Sequence, residues 1–307
     1  MEDAAIYAQA SWFQATARQR IEGLLDLNSF TEFLGPSERV RSPHLHLFDL
    51  PSAFDDGVVI GRGKLDGNDV LVAAQEGQFM GGTFAEVSGA KIVGLVRAAR
   101  DHKELPQTVL LLLDSGGVRL QEANAGELVV AELMRAIVQA RSAGVAVIAL
   151  VGGKAGAFGG AGLTAATCSR IAVSEEGRIA VSGPEVIETN KGVEEFDSKN
   201  KALVWSTDGG KNRRLIGGAD AFAEDSMEGF RTAAKTLLAK VPAFDLKTMQ
   251  AEQKRLAERQ QKFGACDDAV SMWRILDIKD PEAIRDMDSK DFAALATSIK
   301  ESNHDAR

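Results

Sequence analysis

The sequence predicts an α/β fold of layered sheets with crossover helices. The runs from Thr108 to Leu113 and from Val145 to Val151 are almost entirely apolar, and they lack the polar alternation of a half-exposed strand. This pattern is typical of strands buried on both faces. Apolar residues at helical spacing precede each run, over 92–99 and over 130–138. The repeated order of helix and buried strand favours a sheet covered by helices.

Shorter β-rich runs flank this central unit. The runs 58–65 and 70–74 are joined by Asp66-Gly67, a dipeptide that favours a tight hairpin. Two more short strands are predicted over 170–173 and 178–181.

The remaining segments differ in composition. A helical stretch is expected over 6–25, residues 188–218 are polar and predict a loop-rich insertion, and 246–263 predicts a strongly charged helix. We divide the chain into an N-terminal arm with a helix, a core and a helical C-terminal tail, with the bounds 1–50, 51–240 and 241–307.

Composition narrows the classes of function. The 307 residues are 45% hydrophobic, enough for a packed core, and the net charge of −8 argues against nucleic acid as the main partner. The longest apolar runs are far shorter than the ~20 residues that cross a bilayer, so no membrane association is predicted. Two cysteines, Cys168 and Cys266, form no disulfide framework, and the N-terminus lacks a signal-peptide pattern. We therefore expect a cytoplasmic protein.

The tetrapeptide Asp114-Ser115-Gly116-Gly117 is the one that carries the nucleophile of chymotrypsin-like serine proteases. That chemistry needs a histidine base and an acid that orients it. None of the four histidines lies in a context that suggests a base; they are His44, His46, His102 and His304. The nucleophile elbow of α/β-hydrolases also fails, because residue 113 is leucine. Ser115 is therefore not expected to be a nucleophile.

Patterns for nucleotides and metals fail as well. The phosphate-binding loop would need glycine and Ser or Thr where the chain has Ile148 and Ala155, and the dinucleotide fingerprint fails at Asp66. His44 and His46 have no nearby cysteine or carboxylate partners, so no metal site is predicted.

Glycine-rich turns follow both buried strands. Gly116-Gly117 follows the first, and the segment from Gly152-Gly153 to Gly159-Gly160 follows the second. Ligands of parallel sheets lie beyond the carboxyl ends of the strands, where glycine backbone can present N–H groups to an anion. Two such turns can converge on one oxygen. The alternative is that the glycines only permit tight turns or close packing.

Five ordered motifs together resemble the carboxyltransferase family of acyl-CoA carboxylases. They are Arg20 to Asp26 with Ser29-Phe30, Phe79 to Thr83, Ser115 to Glu122, Gly159-Gly160, and Gly183 to Ile187. The resemblance covers roughly residues 20 to 230 and implies a crotonase-like fold, in which paired backbone N–H groups hold a thioester oxyanion. Within that family the chain is most similar to the β subunits of malonate decarboxylases, as a single carboxyltransferase half without a zinc ribbon.

The resemblance assigns roles to individual residues. It implies oxyanion donors at Gly117 and Val118 and a second glycine pair at Gly159 and Gly160, and it places Gly81, Gly82 and Gly116 against the same site. Arg119, in the same motif, is expected to fix the turn rather than to touch substrate.

The resemblance also implies partners. A homologous γ subunit would complete the active site, and a transferase α subunit would belong to the complex. A small acyl carrier protein would bring the substrate on a CoA-derived prosthetic arm, so this chain itself would bind no cofactor. Lys211, Arg213 and Arg214 are candidate contacts for that arm, although a solvated basic loop explains them equally well.

Three functions stay open at this level. The first is decarboxylation of a malonyl thioester on the carrier protein to an acetyl thioester, through an enolate held by the oxyanion donors. The second is carboxyl transfer to biotin, in a malonate or acyl-CoA system, which shares the same enolate. The third is a non-catalytic scaffold subunit.

Overall fold

A computed structural model of the chain describes residues 8–42 and 57–299. The strands of this part are β1 (Thr31–Phe33), β2 (Val58–Leu65), β3 (Asn68–Gln75), β4 (Thr108–Leu113), β5 (Ala146–Val151), β6 (Ala157–Phe158), β7 (Arg170–Ser174), β8 (Ile179–Ala180) and β9 (Ala221–Ala223). The α-helices are α1 (Ala17–Leu24), α2 (Glu86–Asp101), α3 (Ala125–Ser142), α4 (Gly160–Thr167), α5 (Pro184–Lys191), α6 (Lys201–Asp208), α7 (Gly210–Leu215), α8 (Met227–Leu238), α9 (Leu246–Phe263), α10 (Ala269–Ile275) and α11 (Ser289–Ile299). Short 3₁₀ turns cover Pro36–Glu38, Met80–Gly82, Leu120–Glu122 and Glu282–Arg285.

The main sheet has the strand order β1-β2-β3-β4-β5-β7-β9. Strands β1 to β3 pair antiparallel, and β3, β4, β5, β7 and β9 pair parallel. Strands β6 and β8 form a separate parallel pair. The parallel register places the carboxyl ends of β4 and β5, at Leu113 and Val151, side by side at one edge.

Helices cover both faces of the sheet, which explains why β4 has no polar alternation. Val109, Leu111 and Leu113 pack in the core beneath α2, α3 and α4. Leu110 and Leu112 pack in the opposite core, beneath α1 and α8. On that second face the rings of Trp12 and Phe230 stack with centroids 4.1 Å apart. The predicted strand with two buried faces is confirmed.

The predicted central elements agree with the structure. The hairpin turns at Asp66-Gly67, and the charged helix is α9 over the predicted residues. Of the helix expected over 6–25, residues 6 and 7 lie outside the described residues, and the regular helix α1 covers only Ala17–Leu24 of the rest. It begins after Thr16, whose hydroxyl accepts the N–H of Gln19 in a capping box.

The loop-rich insertion predicted over 188–218 is wrong. Helix α5 ends within it, and α6 and α7 fill its second half. Val204 and Leu215 are buried there, and Leu215 joins a third apolar cluster with Trp273 of α10. Helices this short are stabilised by such packing rather than by their own propensity.

Candidate active site

Two glycine turns meet at the carboxyl ends of β4 and β5. A Cβ atom built on Gly159 would lie 3.5 Å from the Cα atom of Gly117. The backbones are also joined directly: the N–H of Ser115 donates to the carbonyl of Gly156 at 2.6 Å, and the N–H of Phe158 donates to the carbonyl of Ser115 at 3.0 Å. The two turns are therefore held side by side, as the sequence pattern suggested.

Only glycine fits the conformations of these turns without strain. Gly117 has φ of 128°, and Gly159 has φ of 54° with ψ of −124° at the N-cap of α4. The upstream pair packs against the first turn, because the N–H of Gly116 donates to the carbonyl of Gly81 at 2.9 Å. A Cβ atom on Gly82 would lie 1.8 Å from the carbonyl oxygen of Asp114, so no side chain can be placed there.

The backbone N–H groups of Val118 and Gly160 are the candidate oxyanion donors in this arrangement. Val118 forms a parallel bridge with Phe84, but the bonds of that bridge use the carbonyl of Gly117 and the N–H of Arg119. The N–H of Gly160 belongs to the first turn of α4, which has no partner within the helix. Among the described residues, neither N–H donates to a protein acceptor. The N–H of Gly117, in contrast, donates to the Oγ of Ser115 at 3.2 Å.

Ser115 is a structural residue of the first turn. Its side chain is fully buried, and its Oγ lies 3.2 Å from both the nitrogen and the carbonyl oxygen of Gly117. His102, the histidine that the structure describes, caps the far end of α2 and contacts Glu104. That helix begins beside the turn and runs 16 residues, about 24 Å. His44, His46 and His304 lie outside the described residues.

Asp114 is the residue that joins the turns to the rest of the protein. Its Oδ2 lies 2.7 Å from the Nη1 of Arg20 on α1, and its Oδ1 accepts the N–H of Ala155 at 2.6 Å. Its own N–H donates to the Oε1 of Gln75 at 3.3 Å, and Gln75 in turn donates to the carbonyl of Gly82. One buried carboxylate therefore ties β4, the loop after β5 and the N-terminal helix together.

Comparison with known proteins identifies the family. Residues 13–271 match the carboxyl transferase domain. The chain belongs to the carboxyl transferase family. The sequence-based recognition of this family is confirmed.

Several members of the family are similar to this chain over most of its length. It is 37% identical to the malonyl-S-ACP:biotin-protein carboxyltransferase MADC of Malonomonas rubra, over 94% of this chain and 96% of the relative. A chain of a Pseudomonas malonate decarboxylase hetero-tetramer in complex with malonate is 39% identical, with a TM-score of 0.78, covering 89% of this chain and 99% of that one. The transcarboxylase 12S core is 28% identical with a TM-score of 0.62, and the match covers 79% of this chain and 43% of that one. These neighbours confirm the crotonase-like fold.

The side chain of Arg119 faces its own turn. Its Nη1 lies 3.2 Å from the Oε1 of Glu122, and both side chains are buried. The other oxygen of Glu122 accepts the N–H of Glu86 at 2.8 Å, at the start of α2. The guanidinium also lies 5.7 Å from the centre of the Phe79 ring. This placement supports a role in fixing the turn.

Lys211, Arg213 and Arg214, the candidate contacts for the carrier arm, lie on helix α7 and not on a solvated basic loop. Lys211 is buried and lies 2.6 Å from the carboxylate of Glu175. Arg214 is buried, and burial lowers the pKa of its guanidinium. Arg213 is partly exposed and lies 3.0 Å from the Oδ1 of Asp208. These contacts hold α7 in place. The sequence could not indicate this, because a run of basic residues does not show which way helical side chains point.

Groups able to hold a metal ion are absent among residues 8–42 and 57–299, where no three His, Cys, Asp or Glu side chains cluster suitably. In the same part of the chain, no helix combines the length and apolar character needed to cross a membrane.

Glu176, just after β7, has a carboxyl group with a raised pKa. Burial raises the pKa of its carboxyl above the ordinary value of 4.5, and the nearby Asp225 and Glu175 add to that rise. Its Oε2 is buried without a hydrogen-bond partner in the described part of the chain. The folded protein therefore binds more protons here than the unfolded chain.

We expect Glu176→Gln to stabilise the protein at pH 8 and to leave it nearly unchanged at pH 4.5. The raised pKa means that stability is lost as pH rises from 4.5 through the folded pKa, and the amide removes that loss. The melting temperature measured from pH 4.5 to 8 for both proteins checks this. Glu195→Gln, an exposed control, should show no such difference, and equal slopes for wild type and Glu176→Gln would contradict the prediction.

Proposed function

We propose that this chain is the β subunit of a malonate decarboxylase. It would convert a malonyl thioester, carried on an acyl carrier protein, to the acetyl thioester and CO₂, which makes it a lyase of carboxyltransferase ancestry. The observation that carries the proposal is a pair of N–H groups, those of Val118 and Gly160, that have no protein acceptor among the described residues. They lie on two turns that contact each other at Gly117 and Gly159.

The chemistry that such a pair supports is stabilisation of an enolate. When the bond between the carboxylate and the α-carbon breaks, its electrons move toward the thioester oxygen, which becomes negative. Fixed N–H donors stabilise that oxygen without a titrating side chain, and each is worth about 10²–10³ in rate. The first turn of α4 adds the positive end of the helix dipole. Protonation of the α-carbon then yields the acetyl group.

The surroundings of the turns favour a partner subunit that completes the site. Large apolar side chains next to the glycines are exposed to solvent in this chain, namely Met80, Leu120, Leu163 and Val181. Exposed apolar groups in such number mark interaction surfaces. The similar Pseudomonas proteins are a hetero-tetramer and a hetero-dimer.

We assign the partner role to a homologous γ subunit. An acyl carrier protein would present the substrate on its CoA-derived arm, and an α subunit would load that arm. The chain would bind no cofactor of its own, and the complex would be cytoplasmic.

Release of CO₂ in the presence of avidin tests the proposed function. The assembled complex, supplied with a malonyl group on its carrier protein and no added biotin, is expected to release CO₂ at the same rate with and without avidin. The isolated chain should be inactive under the same conditions. Inhibition by avidin would overturn biotin independence, and rapid turnover by the isolated chain would overturn the shared site.

The second candidate is a biotin-linked malonyl carboxyltransferase. It is favoured by the 37% identity to the Malonomonas rubra protein, whose name specifies a biotin protein as the acceptor. The enolate and its donors are common to both reactions, so the oxyanion site cannot distinguish them. Only the second reaction needs biotin, so the avidin experiment separates them.

Ser115→Ala is expected to keep the turnover of the complex within about tenfold of wild type, because the hydroxyl contacts only the backbone of its own turn. Loss of that hydrogen bond should cost stability by about 1 kcal/mol. Initial rates of CO₂ release and a denaturant titration measure both quantities. A loss near the ~10⁶-fold that follows removal of a true nucleophile would contradict this role.

A further inference from the structure

Arg178, directly before β8 in sequence, contacts both halves of the glycine loop that follows β5. Its Nη2 donates to the carbonyl of Lys154, in the first half of that loop. Its backbone carbonyl accepts the N–H of Ala157 at 2.8 Å, in the second half. Its guanidinium also lies 5.6 Å from the centre of the Phe158 ring.

The segment that Arg178 holds is the one that joins the two turns. Gly156 has φ of 73°, and a Cβ atom there would lie 3.1 Å from the carbonyl oxygen of Arg178. On its other side the same segment bonds to Ser115, through the carbonyl of Gly156 and the N–H of Phe158. Residues 156–158 are therefore fixed between the first turn and Arg178, immediately before Gly159-Gly160.

Arg178 is itself fixed by α6. The ring of Trp205 lies 4.6 Å from the guanidinium carbon, close enough for a cation–π contact. Burial lowers the pKa of the Arg178 guanidinium, and the carboxylates of Asp114, Asp208 and Glu185 oppose that shift by favouring the charged form. Of these, Asp208 is buried and also lies on α6. The polar segment that precedes β9 thus contacts Arg178 through the ring of Trp205 and through the backbone bridge between Gly209 and Arg178.

We propose that Arg178 is a positioning residue that sets the place of the Gly160 N–H by clamping the loop 152–160 against the first turn. The proposal rests on the proposed function for the role of that N–H, and it assigns α6 the task of holding the clamp. It requires no contact between Arg178 and the substrate.

Arg178→Met in the assembled complex tests the clamp with two measurements. We expect kcat for CO₂ release to fall by about 10²-fold, as for loss of an oxyanion donor, while KM changes less than about threefold. We also expect the amides of Ala157 and Phe158 to exchange with solvent deuterium faster than in wild type. Arg178→Lys keeps a donor for the Lys154 carbonyl and should give intermediate values for both. Arg274→Met, an exposed arginine paired with Glu282, is the matched control and should change neither.

The outcomes separate the alternatives. A rise in KM, with kcat and the amide exchange of Ala157 and Phe158 unchanged, would indicate a substrate contact and overturn the clamp. No change in any of these measurements would also overturn it. If Arg178→Met fails to assemble, Trp205→Leu removes the aromatic contact while keeping the charge, and it should accelerate exchange at the same two amides. Exchange is measured without substrate, so it tests the clamp even if the wild-type complex proves not to decarboxylate malonyl thioesters.

Discussion

Gly160→Pro is expected to lower the turnover of the complex by about 10²–10³-fold relative to Gly160→Ala, the value of one oxyanion donor. Proline removes the N–H of residue 160 and nothing else that the reaction would use. Position 160 is the first residue of α4, where proline is compatible with the helix because no intrahelical bond is lost. Initial rates of CO₂ release by the two variant complexes give the ratio.

The alanine variant is the control that isolates the N–H. Any Cβ atom at residue 160 would lie 2.5 Å from the Cγ2 atom of Val130, so both substitutions share this contact with α3. Making both changes in a Val130→Ala background removes that contact and leaves the missing N–H as the difference. Equal rates for the proline and alanine variants, with both complexes assembled, would remove Gly160 from the proposed oxyanion hole.

The fold could be predicted from the sequence wherever apolar spacing extends over several residues. Strands β4 and β5 and helix α9 lie at the residues that their patterns indicate. Helices α6 and α7 were not predicted because each has about two turns or fewer. A helical spacing of apolar residues cannot be recognised over so short a segment. The shorter α1 could have been placed from Thr16 and Gln19, whose spacing is that of a capping box.

The candidate site was predictable only in part, for a similar reason. Glycine pairs after buried strands mark where backbone N–H groups can gather, and the two turns do touch. Sequence spacing could not show that the N–H of Gly117 is bonded to Ser115 while that of Val118 has no acceptor in the part of the chain that the structure describes. Nor could it indicate Arg178, whose contact with the Lys154 carbonyl joins residues 24 positions apart.

Arg20→Met is expected to reduce the free energy of unfolding by about 3–5 kcal/mol, the usual cost of leaving one partner of a buried ion pair unpaired. Arg20 and Asp114 are 3% exposed at their side chains, and Nη1 and Oδ2 are 2.7 Å apart. Methionine fills similar space but leaves the Asp114 carboxylate charged, buried and short of its strongest partner. Denaturant titration of the variant and of wild type measures the difference.

Two further variants show whether charge or packing is responsible. In the double variant Arg20→Met/Asp114→Asn neither member of the ion pair keeps its charge, while the side-chain amide oxygen at position 114 can still accept the N–H that Ala155 donates to Oδ1 in the native chain. The double variant should therefore be more stable than Arg20→Met alone.

Arg18→Met provides the matched surface control on the same helix. Arg18 pairs with Glu32 at 2.7 Å, but its side chain is 46% exposed, so its loss should cost no more than about 1 kcal/mol. A cost for Arg20→Met as small as that for Arg18→Met would mean that the Asp114 carboxylate does not depend on α1. The glycine turns would then owe their position to contacts that do not involve α1, among them the backbone bonds at Ser115, Gly156 and Phe158 and the bond from the Ala155 N–H to Asp114.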